Sequence, residues 1–151
     1  MKMRKTPNAE RPTLNIEFRK LSVNETADGD YGTRPKYDLE ERLLEFTANV
    51  VRLADSLPNT KAGNHIAGQL LRSGTSPLAN HGEVEAAESR KDFLHKLRIC
   101  LKELRETWRW LGLIGRLDLS KARELRAALT EVEELIRIFA ASVRTTEKNA
   151  K

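Results

Sequence analysis

The sequence predicts an all-α protein, an up-down-up-down four-helix bundle with a kinked second helix and a flexible N-terminal arm. Three observations carry that prediction. Four apolar stripes recur at three- and four-residue spacing, the period of one helix face. Short polar turns separate them, which makes sequential helices antiparallel neighbours. Aromatic residues make up only 5% and no β-branched run occurs, so strands have little to build on.

Residues 1–36 differ from the rest. They hold Pro7, Pro12 and Pro35, the polar stretch from Asn24 to Gly32, and no sustained period. Low hydrophobicity with mixed charge argues for a mobile arm. Lys2, Arg4, Lys5, Arg11, Arg19 and Lys20 make it slightly basic. The bundle is expected over residues 37–146, with a frayed tail at 147–151.

The first helix is expected to start at Asp38. Asp38 and Glu41 have capping-box spacing, with an acid in place of Ser or Thr. Leu39, Leu43, Phe46, Val50 and Leu53 form its stripe, and Pro58 stops it near Leu57. Asn59 or Thr60 caps the second helix, whose apolar face is Ile66, Leu70 and Leu71. Gly63 and Gly68 each weaken it by about 1 kcal/mol relative to Ala, and Gly68 suits a close backbone approach. Ser73-Gly74-Thr75-Ser76-Pro77 then interrupts the pattern. Ser76 and Pro77 fit an N-cap followed by the first helical position, so this helix either kinks or restarts before running to about Glu88.

Ser89 and Asp92 open the third helix with a second capping-box spacing. Leu94, Leu97, Leu101, Leu104, Trp108 and Leu111 form an unbroken stripe up to Gly115. Roughly 25 residues at 1.5 Å each span about 38 Å. The turn Gly115-Arg116-Leu117-Asp118 is short, so the fourth helix returns antiparallel. Leu125, Leu129, Val132, Ile136, Phe139 and Val143 are its stripe.

Composition narrows the function classes. A chain of 151 residues supports one hydrophobic core. The single Cys100 excludes an internal disulfide and any zinc site with two thiolates. No apolar run approaches the ~20 residues of a membrane span, and none reads as a signal peptide, which suggests a cytoplasmic protein. The net charge of +5 permits contact with nucleic acid without requiring it.

The third helix has more faces than one bundle buries. Lys91, His95, Arg98, Lys102, Arg105 and Arg109 follow a 4-3-4-3-4 spacing and form a basic stripe about a third of a turn from the core stripe. Like charges four residues apart repel by a few tenths of a kcal/mol. Something acidic is therefore expected opposite. Glu41 and Glu45 of the first helix and Glu124, Glu131 and Glu134 of the fourth are internal candidates, and phosphates are the external one. A third line carries Asp92, Lys96, Ile99, Glu103 and Trp110. Ile99, Glu103 and Trp110 are read as an outer, subunit-interface line.

Catalytic readings find little. A di-iron bundle needs two Glu-x-x-His pairs, whereas Asp92-x-x-His95 occurs once and with Asp. His81 and Glu83 face different ways on a helix. Cys100 lies near the core stripe as a small hydrophobe. Ser73–Ser76 is too short for a phosphate loop and lacks its Lys-Ser/Thr end. No metal, no cofactor and no enzyme activity are expected.

One segment is distinctive: Gln69-Leu70-Leu71-Arg72-Ser73-Gly74-Thr75-Ser76-Pro77-Leu78-Ala79-Asn80, then Glu83, Ala87-Glu88-Ser89 and Lys91 to Leu97. Leu101 to Thr107 and Trp110-Leu111 complete it. Over about residues 38–140 it resembles the four-helix bundle family typified by the protein encoded in intervening sequences of 23S rRNA genes. That resemblance implies a ring-like homopentamer and a proposed nucleic-acid role. A protein of similar fold, the accessory factor of diversity-generating retroelements, partners a reverse transcriptase and binds nucleic acid. Within the motif, Gln69, Arg72, Ser73, Ser76, Asn80 and Glu83 are expected to serve the helix-two break as structure, with Arg72 paired to Glu83 or Glu103.

The resulting expectation is a non-enzymatic homo-oligomeric bundle whose Lys91, Arg98, Lys102, Arg105 and Arg109 meet RNA or DNA phosphates. The alternative is an assembly or adaptor module with a protein partner and no nucleic-acid binding.

Overall fold

The computed structural model describes residues 39–149. The arm at 1–36, the Asp38 half of the first cap and residues 150–151 lie outside them. Four helices follow in order: α1 (Leu39–Asp55), α2 (Lys61–Glu85), α3 (Arg90–Arg116) and α4 (Ala122–Lys148). α1 packs on α2, α2 on α3, α3 on α4, and α4 closes back on α1. α1 and α3 stand on opposite corners. This is the expected all-α four-helix bundle.

The interior is apolar and contributed by all four elements. Leu43, Phe46 and Val50 of α1, Leu70 of α2, Leu104, Leu111 and Ile114 of α3, and Val132, Leu135 and Phe139 of α4 are essentially buried. Burying a Leu- or Phe-sized side chain stabilises by about 1.5–3 kcal/mol, so these stripes hold the fold. The caps are local. Thr60 accepts the Gly63 N–H at 3.0 Å, and Ser89 accepts the Asp92 N–H at 3.1 Å. The Lys96 ammonium donates to Asp92 at 2.9 Å and holds that carboxyl below its ordinary pKa.

Three expectations about the helices change. α2 does not restart at Ser76: it is one helix with Pro77 inside it, and it ends at Glu85. Asn80 Nδ2 donates to the Ser76 carbonyl at 2.9 Å, and Thr75 donates to the Leu71 carbonyl at 2.7 Å. Pro77 is fully buried, and its packing outweighs a helix-interior proline cost of about 3 kcal/mol. The close approach is at Gly74, not Gly68. A Cβ on Gly74 would lie 2.5 Å from Val50 Cγ1, whereas one on Gly68 would meet nothing within 4 Å. α4 stays helical through Lys148, two residues past the expected end of the bundle.

The helices are unequal. α1 has 17 residues against 25, 27 and 27 for the others. At 1.5 Å per residue α1 is about 15 Å shorter than α4. The α1–α4 seam is accordingly open, with a cleft of about 840 Å³ between them. The carboxylate of Glu131 bridges it to Arg42, whose Nη2 donates at 3.0 Å and whose Nε also reaches it.

Candidate nucleic-acid interface

α3 touches two neighbours and leaves a third face to solvent. Its inward face is Leu97, Cys100, Leu104, Thr107, Leu111 and Ile114. Cys100 is fully buried, its thiol donates to the Pro77 carbonyl at 3.8 Å, and burial pushes its pKa to about 12. It is a protonated packing group rather than a nucleophile.

Three residues assigned to the wrong face are corrected by the packing. Trp108, expected in the core stripe, is 43% exposed at the α4 edge, where its indole N–H donates to Glu133 at 3.2 Å. Glu103, expected on an outer line, is only 7% exposed. It faces α2, where Arg72 Nη1 donates to it at 3.4 Å. Trp110, also expected to point outward, packs partly buried against the core and meets the His65 ring edge-on at 6.2 Å. Ile99 is half-buried. The physical reason is that α2 wraps further around α3 than a single 3-4 stripe shows.

The distinctive α2 segment also resolves into contacts. Ser73 is buried against α3, 3.0 Å from Thr107 Oγ1, which lies 2.9 Å from the Glu103 carbonyl. Ser73 donating to Thr107 and Thr107 to the carbonyl satisfies all three atoms. Arg72 pairs with Glu103 and Glu106, not with Glu83. Asn80 bonds Ser76 within its own helix, Gln69 is half-buried, and Glu83 is exposed. Glu106 was not legible as a partner of Arg72. Its one local signal is the four-residue spacing to Trp110, whose indole N–H it accepts at 3.3 Å.

The remaining face of α3 carries Lys91, His95, Arg98, Lys102, Arg105 and Arg109, all exposed. Their expected internal acids are committed elsewhere. Glu131 holds Arg42, Glu45 lies 3.7 Å from Arg52, Glu124 lies 3.8 Å from Lys121, and Glu134 pairs with Arg137. Glu41 is on α1, which does not touch α3. Two stripe members find other acids: Arg98 donates to Glu147 at 2.6 Å, and Lys102 lies 3.9 Å from Glu103. Among the described residues no carboxylate lies within 4.0 Å of Lys91, Arg105 or Arg109. Within one bundle this half of the stripe is uncompensated.

The α1–α4 cleft is the other candidate. Arg52, Lys121 and Arg123 line it together with Asp118, Glu124 and Glu131 over a floor that includes Phe46 and Ala128. Its charges are mixed, and no nucleophile there stands beside a base. Among the described residues no group of three or more His, Cys, Asp or Glu is placed to hold a metal ion. None of the described helices is long and apolar enough to cross a membrane.

Comparison with known proteins fits this bundle. The model of the 23S rRNA-intervening sequence protein family matches residues 36–141, most of the chain. The chain belongs to that family. A crystal structure at 1.70 Å of a protein of unknown function from the S23 ribosomal protein family, from Bacteroides thetaiotaomicron, is similar to it. The two share 34% identity and a TM-score of 0.66, over 70% of this chain and 98% of that one. The family match covers all of α1, α2 and α3 and α4 as far as residue 141. The basic stripe and the Arg72–Glu103–Glu106 cluster therefore lie inside the family domain. A comparison with functionally characterised proteins found no match.

Proposed function

We propose that this chain is a non-enzymatic, cytoplasmic nucleic-acid-binding bundle that uses the solvent face of α3. The observation that carries the reading is that Arg105 and Arg109 are exposed and answer no carboxylate, in line with Lys91, Arg98 and Lys102. A straight row of cations on a rigid helix meets phosphates as a positioning contact with little sequence readout. Homo-oligomer formation is part of the reading. It would align several such rows, and Leu117, 49% exposed at the α3–α4 turn, and half-buried Ile99 are apolar surface it could cover.

The test is titration of labelled RNA and DNA, as duplexes and as single strands, at 50 and 200 mM salt. About five phosphate contacts give a loss on the order of 10²–10³ in affinity over that range. Arg98→Glu with Arg105→Glu should abolish binding. Absence of binding at the lower salt would overturn the reading. It would favour an acidic protein partner, whose carboxylates would pair with the stripe as Glu147 pairs with Arg98 within the chain. Light scattering reports the mass, and a monomer would remove the oligomer.

A further inference from the structure

At the Arg105–Arg109 end of the basic stripe, α3 carries a hollow of about 300 Å³ lined by Glu106, Arg109, Trp110 and Leu113. These residues stand at i, i+3, i+4 and i+7, so they form one patch two turns long. The hollow is shallow and open to solvent on its outer side. Leu113 is 38% exposed, one of three large apolar side chains left that open among the described residues.

Two of its four side chains, Trp110 and Glu106, are held by neighbours before anything binds. The Trp110 ring is braced by His65 from α2, and its N–H is held by Glu106 Oε1. Arg72 of α2 holds the same oxygen. Glu106 Oε2 has no hydrogen-bond donor among the described residues, so it remains a free acceptor. Arg109 belongs to both hollow and stripe, and its Nη1 donates to the Arg105 carbonyl at 3.3 Å. A pre-ordered aromatic wall loses little entropy on binding, which favours a flat, rigid guest.

We infer that this hollow receives one unpaired, amino-bearing nucleobase of a single strand whose phosphates follow Arg98, Lys102, Arg105 and Arg109. The inference rests on the phosphate reading above and sharpens it from nucleic acid in general to single strands. Charge selects the occupant. A phosphate chain drawn along the stripe places its bases beside Arg109, and a duplex keeps its bases stacked inside and cannot offer one. The indole and the Leu113 side chain supply apolar surface for the base faces, a mode used by proteins that bind single strands. Glu106 Oε2 accepts from an exocyclic amino group, which adenine, cytosine and guanine carry and uracil and thymine lack.

The experiment compares three 12-residue ligands at equal low salt: an oligoadenylate, an oligouridylate and an abasic deoxyribose-phosphate strand. Binding is read by fluorescence anisotropy, and the two indole N–H resonances are assigned with Trp108→Phe. Oligoadenylate should bind about tenfold more tightly than the abasic strand and shift the Trp110 indole signal. Trp110→Leu and Leu113→Ser should each erase most of that advantage and leave abasic binding unchanged. Leu113 is exposed, so its variant tests the hollow without disturbing the core. Glu106→Gln should narrow the gap between adenylate and uridylate. Equal affinity for oligoadenylate and abasic strand, or a shift of Trp108 alone, would overturn the base site and leave the phosphate reading standing. No binding of any strand would overturn both.

Discussion

The α2–α3 seam and the α1–α4 seam close the same bundle by different means. The first joins helices of 25 and 27 residues and is filled along its length. It buries Ser73 against Thr107, Cys100 against Pro77, and Glu103 under Arg72. The second joins helices of 17 and 27 residues and leaves a cleft of about 840 Å³ spanned by the Arg42–Glu131 pair. A full-length seam can order buried polar groups because every one finds a partner, and a short one is held from its edge by charge. The candidate interface belongs to the better-packed side. Its cations stand on a helix whose other two faces are occupied, which is the condition for presenting them in a fixed row.

The contrast is sharpest for core truncation. Leu104→Ala, at a fully buried position in the middle of α3, should cost about 3–5 kcal/mol of unfolding free energy. Leu53→Ala, on the wall of the α1–α4 cleft, should cost about 2 kcal/mol, because that wall already borders open space. Urea unfolding of both variants decides it, and equal losses would mean that the cleft is closed in solution.

Buried hydroxyls come next. Thr107→Val removes the acceptor of Ser73 and should cost about 1–2 kcal/mol in the same unfolding measurement. Ser73→Ala should cost less than about 1 kcal/mol, since Thr107 keeps the Glu103 carbonyl. A larger loss from the serine change would reverse the donor order given above.

The smallest effect is at the short seam. Arg42→Met should cost at most about 1 kcal/mol, because the pair is partly solvated, and the difference from wild type should shrink in 0.5 M salt. A salt-independent loss of several kcal/mol would show that the bridge, rather than the apolar floor, holds α1 in place.

Legibility followed the kind of interaction. The four stripes, both Ser/Thr caps and the burial of Cys100 were readable because helical period and capping chemistry act over one or two turns. The faces of α3 were only half readable. Trp108 continues the Leu94–Leu104 spacing and yet sits at the α4 edge. Glu103 and Trp110 leave that spacing and yet are covered by α2. A 100° wheel gives angles around one helix, and burial depends on how far the neighbours wrap around it. At Pro77 the sequence left a kink or a restart open, and the fold keeps one helix through it. The proline's local signal suits the first turn of a helix, and in the fold its ring is core inside one.

For the basic stripe, the sequence alone determined that Lys91, Arg98, Lys102, Arg105 and Arg109 share one line, since spacing is a property of the chain. It also determined the fold class, since four amphipathic helices joined by short turns have few other ways to bury their stripes. Only the tertiary structure decided which acids those cations could reach. It placed Glu131, Glu45, Glu124 and Glu134 beside other partners, and it left Arg105 and Arg109 without a carboxylate. Ion pairing depends on distances of a few ångströms between side chains far apart in sequence, and that information appears only once the helices have packed.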